Sequence, residues 1–169
     1  MIVVEADVSE EWDSSTDWAQ LAKAAVRAAV AESDVPGLLE SGVSAEVSVR
    51  FTSDGELKGL NSAWRGKDKA TNVLSFPMAG PEQLAALART EGGEALLGDI
   101  VLAQGICAAE AEEKGVGACA HAAHLVVHGM LHLLGFDHEG DEAEADRMEA
   151  AERRALAAMG VADPYEMHR

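Results

Sequence analysis

The stretch His128-Gly129-Met130-Leu131-His132-Leu133-Leu134-Gly135-Phe136-Asp137-His138 constrains this chain more tightly than any other. On a helix, residues four apart project from one face a turn apart, so the imidazoles of His128 and His132 converge. A glycine accepts positive φ and commonly ends a helix, so Gly135 lets the chain turn and bring His138 back towards the first two rings. Three neutral imidazoles around one ion leave a tetrahedral position open for water, the arrangement of a catalytic rather than a structural zinc site. The expected metal ligands are therefore His128, His132 and His138 on and after a zincin-like helix, holding one zinc. Such sites also accept other divalent metals, nickel and copper among them.

The same spacing, glycine included, occurs in the metzincin peptidase pattern H-E-x-x-H-x-x-G-x-x-H. The peptidases carry a glutamate base where this chain has Gly129, so the metal scaffold is present without the residue that deprotonates water for peptide hydrolysis. His124 extends the i, i+4 series by one turn. A straight helix carries it about 6 Å further away, which suits a hydrogen bond behind the ligands better than ligation. His121 and His168 are expected to face solvent. Asp137 has two roles open to it, orienting an imidazole or accepting a proton.

The 169 residues, 48% hydrophobic, suit one domain over 1–169 with an ordinary core. Cys107 and Cys119 form no C-x-x-C pair, which fits a reduced cytoplasmic compartment, and neither is a convincing ligand. The N-terminus lacks a basic-then-apolar signal and every long apolar run is interrupted, so we expect a soluble protein without a signal peptide. A formal net charge of −17 and a pI near 4.5 argue against broad electrostatic binding to nucleic acid. Lys58 and Arg65-Gly66-Lys67-Asp68-Lys69 form the clearest local exception. On charge alone that cluster is most simply a solvated turn.

The patterning predicts an α+β fold with a small four-stranded mixed sheet packed with helices. Ile2 to Val8 reads as a strand, and Asp17 to about Glu32 as a helix through Trp18, Leu21, Ala25 and Ala28. Val43, Ala45, Val47, Val49 and Phe51 alternate with polar residues, a strand with one buried face. Ser53-Asp54 caps a helix carrying Leu57, Leu60, Asn61 and Trp64. Asn72 to Phe76, ending at Pro77, and Leu96 to Ala103 are two more strands. Residues 78–93 read as a mobile connection with room for a short helix. Ala118 to Leu134 forms the metal helix. The last helix, from about Asp141 to Met159, turns Ala145, Met148, Ala151 and Leu156 inward, while the seven acidic residues from Glu139 to Glu152 are taken as a solvated face.

With these residues in view, the chain resembles the YbeY family of bacterial metal-dependent endoribonucleases. The resemblance rests on His128-Gly-x-Leu-His132-Leu-x-Gly135-Phe-Asp137-His138, supported by Leu60-Asn61 with Trp64-Arg65, by Thr71 to Pro77 and by Gly98-Asp99-Ile100. Asn72 stands where the family usually has aspartate, so it is assigned no catalytic role, and Phe136 replaces a tyrosine while keeping the ring. The resemblance implies cleavage of single-stranded RNA in ribosomal RNA maturation, including 16S end processing, and in ribosome quality control. It also implies the ribosome or its proteins as partners, a cytoplasmic location and no DNA substrate. Zinc would supply hydroxide near neutral pH, and Arg65, which matches the family's arginine, would be the catalytic clamp on the scissile phosphate. The nucleophile, metal hydroxide or ribose 2′-hydroxyl, is left open. Two other classes stay in view: a zinc hydrolase of peptides or esters, and a non-catalytic ribosome assembly factor.

Overall fold

The computed structural model describes residues 1–137 and 140–165; His138, Glu139 and His168 lie outside them. In chain order the elements are β1 (Ile2–Val8), α1 (Trp18–Ala31), a 3-10 turn at Pro36–Leu39, β2 (Ser44–Thr52), α2 (Asp54–Arg65), β3 (Val73–Pro77), α3 (Pro81–Leu87), β4 (Glu94–Ala103), α4 (Gln104–Lys114), α5 (Ala118–Leu133) and α6 (Glu142–Ala158). The sheet order is β1-β2-β4-β3, with β1/β2 and β2/β4 parallel and β3/β4 antiparallel. This is the mixed four-stranded sheet that the patterning required. Opposite Glu46 and Val47, β4 inserts Leu97 as a bulge.

Alternation along β4 sorts the side chains into two layers. Ile100 and Leu102 join the main core with α1, α5 and α6, whereas Val101 and Ala103 pack with Leu57 of α2 and Leu74 of β3 on the other face. On β2, Ala45, Val47, Val49 and Phe51 are buried, and Phe51 is enclosed by Trp12 and Trp18 with ring centroids 5.0 and 5.6 Å away. Ser53 caps α2 by accepting from the Glu56 amide, and Asp17 caps α1 in the same way from Gln20.

Two short helices, α3 and α4, complete the chain between β3 and α5. The connection over residues 78–93 contains the short helix it was given room for, α3, which buries Leu84 in the core. The segment after β4 forms α4, whose weak amphipathicity left little periodic signal, although Cys107 and Ala111 are buried. Helix α6 spans 17 residues and α5, which bears the histidines, 16. Among the described residues, no single helix is long and apolar enough to cross a membrane.

Helix α5 lies hard against the sheet at Gly129, where an added Cβ would stand 2.9 Å from Ile100 Cγ2. The residue type at this position is therefore set by the space between helix and β4, and no side chain here reaches solvent. Gly129→Glu, which restores the peptidase residue, should cost more than about 3 kcal/mol because it buries an unpaired carboxylate against a stiff β-branched side chain. Gly129→Ala should cost about 1 kcal/mol, the overpacking partly offset by helix propensity. Urea midpoints measure both, and a Gly129→Glu chain as stable as its parent contradicts the close approach.

Candidate active site

His128 and His132, one turn apart on α5, open into a cleft of about 290 Å³. Its other walls are Asn61 and Arg65 at the end of α2, Lys67 and Lys69 in the following loop, and residues 71–75 leading into and along β3. The fold thus brings the expected clamp, Arg65, to the same cleft as two of the three expected ligands. The third, His138, lies outside the described residues, and among those described no group of three His, Cys, Asp or Glu side chains is assembled around a point. Asp137 is solvent-exposed at the end of the turn that follows α5.

The two imidazoles are oriented from behind. Gly135, at φ 100°, closes α5 by a reversal in which the Gly135 amide donates to the His132 carbonyl and the Phe136 amide to the Leu131 carbonyl. That reversal carries the Phe136 carbonyl to 3.0 Å from His132 Nδ1, while Glu152 Oε1 of α6 lies 2.7 Å from His128 Nδ1. A carbonyl or carboxylate oxygen can only accept, so each Nδ1 carries the proton and the basic lone pair falls on Nε2. This is the tautomer and the outer bracing of metal-binding histidines. The donor set therefore fits a divalent ion of the zinc type.

Glu152 itself is completely buried. It was read as part of a solvated acidic face, and the structure corrects this. Met148, Ala151, Ala155 and Leu156 are buried on the same side of α6, and Glu152 sits among them, with Ala145 half-buried. Its other oxygen accepts from His124 Nε2 at 2.9 Å and from the Tyr165 hydroxyl. Burial alone would raise the carboxyl, but hydrogen bonds from His124 and His128 outweigh it and hold the pKa at about 2. His124 thus braces the carboxylate from behind the cleft, in line with its spacing. For Tyr165, which sequence reasoning passed over, burial and the adjacent Glu152 carboxylate push the hydroxyl up and keep it a donor.

His121 is a second correction. It was expected to face solvent, yet it is buried and bonds Glu110 at 2.8 Å. Burial lowers its pKa, although the Glu110 hydrogen bond opposes the shift. Glu110 also accepts from Asn72 Nδ2 at 3.1 Å, and Asn72 Oδ1 accepts from the Val73 amide, so Asn72 fixes the start of β3. Cys107 is buried, which pushes its thiol up to about 12, and neither it nor exposed Cys119 lines the cleft.

The basic segment is solvent-exposed, as a solvated turn would be, and it is also tied to α2. Asn61 is buried, donates from Nδ2 to the Lys69 carbonyl at 2.9 Å, and accepts the Lys67 amide at its own carbonyl. These two bonds pin the loop that carries Lys67 and Lys69. Lys58 pairs with Asp68 across 4.0 Å at the surface, an interaction of little energetic weight. Among the described residues, the ion pairs include none of Arg65, Lys67 and Lys69, so their charge is available to an anion.

Glu152→Gln replaces two acceptor oxygens with one and points an amide donor at a donor. Because the folded pKa lies below the ordinary value near 4.5, Glu152 stabilises the fold fully above pH 4.5, and that contribution disappears as the pH falls towards 2. The variant should lose about 3 kcal/mol at pH 7, with the deficit shrinking through the acid range. Denaturant titrations at several pH values check this, and a pH-independent deficit contradicts it.

The family model for endoribonuclease YbeY matches residues 5–160. The endoribonuclease YbeY of Rhizorhabdus wittichii is 51% identical over 166 residues, covering 98% of this chain and 97% of the relative. That of Sphingopyxis alaskensis is 50% identical over 165 residues, covering 98% of both. Among solved structures, the solution structure of TM1509 from Thermotoga maritima superposes with a TM-score of 0.55 at 20% identity, covering 98% of this chain and all of that one, which supports the fold. The chain belongs to the YbeY family of endoribonucleases.

Proposed function

We propose that this protein is a zinc-dependent endoribonuclease that cuts single-stranded RNA during ribosomal RNA maturation, 16S end processing included, and in ribosome quality control. The observation that carries the reading is the cleft itself, where two imidazoles braced with Nε2 as the basic nitrogen face Arg65, Lys67 and Lys69 on a chain of net charge −17. His128, His132 and His138 are the residues that would hold the ion. When bound, it supplies Lewis acidity for a phosphoryl oxygen and for water near neutral pH.

The chain's own residues do the rest. Arg65 offers a planar fork of donors to the oxygens of the scissile phosphate and stabilises the charge that grows there during cleavage. Lys67 and Lys69, fixed by Asn61, hold the neighbouring phosphates. Glu152 and the Phe136 carbonyl keep protons on the two Nδ1 atoms throughout. A peptidase reading loses ground because Gly129 fits closely against Ile100 and offers no place for the glutamate base. A purely structural assembly factor has no need of a cationic cleft beside braced imidazoles. The ribosome as docking partner and a cytoplasmic location follow from the same reading, with neither DNA nor a membrane as a partner.

His128→Ala should lose both bound zinc, measured by elemental analysis, and cleavage of single-stranded RNA. Arg65→Ala should keep zinc and cleave about 100-fold more slowly. Cleavage at the parental rate in Arg65→Ala removes the clamp, and zinc-loaded protein without nuclease activity supports the assembly factor instead. Three cleft cations also limit the electrostatic footprint. RNA affinity should fall with salt at a log–log slope of about −2, since each neutralised phosphate on a single strand contributes about −0.7. A slope of about −5 or steeper would place the binding surface elsewhere.

A further inference from the structure

A second recess lies across α2 from the cleft. It has a volume of about 340 Å³ and apolar walls formed by Leu60, Trp64, Phe76, Met78 and Val101. Trp64 is 74% exposed and Met78 56%, a large apolar surface for a chain with so few aromatic residues. The two recesses share their dividing elements. Leu60 and Trp64 line this one while their neighbours Asn61 and Arg65 line the cleft, because successive helical residues turn by about 100°. Phe76 lines this one and Ser75 the cleft, because strand residues alternate.

Charge decides what fits. Arg50, at the edge of the groove, is held by Glu56 at 2.8 Å and by Asp7 at 3.8 Å, whereas Asp99 is in no ion pair among the described residues. Phosphate is repelled here and attracted on the other side of α2, by Arg65 and the two lysines. A single strand whose backbone follows the cations therefore turns a flat, uncharged base towards the groove, where the indole offers a stacking face.

We propose that the Trp64 groove is a stacking platform for an unpaired base of the RNA strand, next to the phosphate held by Arg65. This rests on the nuclease reading above and extends the site beyond the cleft. Trp64 gives the strand a second point of attachment that does not depend on salt, and it favours unpaired over duplex RNA because a paired base cannot leave its stack without cost.

Intrinsic fluorescence isolates the residue, since Trp12 and Trp18 are about 5% and 4% exposed and only Trp64 is open to an added quencher. The probe is a short 2′-O-methyl phosphorothioate oligoadenylate titrated into the zinc-loaded full chain. Binding should quench the exposed tryptophan and shield it from acrylamide. Trp64→Ala should weaken affinity about tenfold with an unchanged melting temperature, and Trp64→Phe should stay within about threefold of the parent. If the oligonucleotide binds with Arg65-dependent affinity while fluorescence and affinity ignore position 64, the platform is overturned and the nuclease reading stands. If Trp64→Ala instead abolishes a concentration-dependent dimer in sedimentation and leaves RNA affinity intact, the groove belongs to a second copy of the chain and the platform is again overturned. Absence of both oligonucleotide binding and RNA cleavage overturns the reading and the platform together.

Discussion

A carboxylate without water must be surrounded by donors, and Glu152 shows what that requirement organises. Two imidazoles and a phenol hydroxyl converge on its oxygens, from α5 and from the segment after α6. Removing the charge from solvent is costly, and the compensation comes only if every donor is in place, so the network fixes side-chain positions more sharply than apolar packing could. His128 is one of those donors, and the atom it presents to the cleft is a consequence of the atom it gives to Glu152. Helix α6 lines no part of the cleft, yet through the Glu152 contact to His128 it sets the chemistry available there.

The rest of the site follows from how tightly α5 lies on the sheet. Gly129 permits the approach to Ile100, and Gly135 permits the reversal that returns a carbonyl to His132. Across the cleft, Asn61 ties down the loop that carries Lys67 and Lys69. An acidic protein can engage a polyanion only where its field is locally reversed, and the cleft gathers Arg65, Lys67 and Lys69 in one recess beside β3. A small footprint of that kind suits an enzyme that acts at a few phosphates better than one that coats a strand.

Much of this was legible in the residues. The strict alternation of β2, the Ser53 and Asp17 caps and the i, i+4 histidines each carry a local physical signature that tertiary packing did not override. For Glu152 and His121, residue type points to solvent while periodicity points to the core, and burial follows the periodicity. Glu152 stands at i+4 from Met148 and i+1 from Ala151, on the apolar stripe of α6, and His121 lies beside Ala122 and a turn before Leu125 on that of α5. A polar residue on an apolar stripe marks a buried hydrogen-bond partner. The partners themselves, Glu110, His124 and Tyr165, are distant in sequence and became visible only when the helices packed. Helix α4, alanine-rich and weakly amphipathic, left no comparable mark.

His128 and His132 are both protonated on Nδ1 and present Nε2 to the cleft. Nitrogen NMR of the chain labelled at its histidine nitrogens reads this directly, before and after zinc is added. We expect both rings as the Nδ1–H tautomer, with zinc shifting the Nε2 resonances and leaving the Nδ1 protons in place. Either ring found as Nε2–H in the metal-free chain, or bound to zinc through Nδ1, would contradict the bracing from which the site is built.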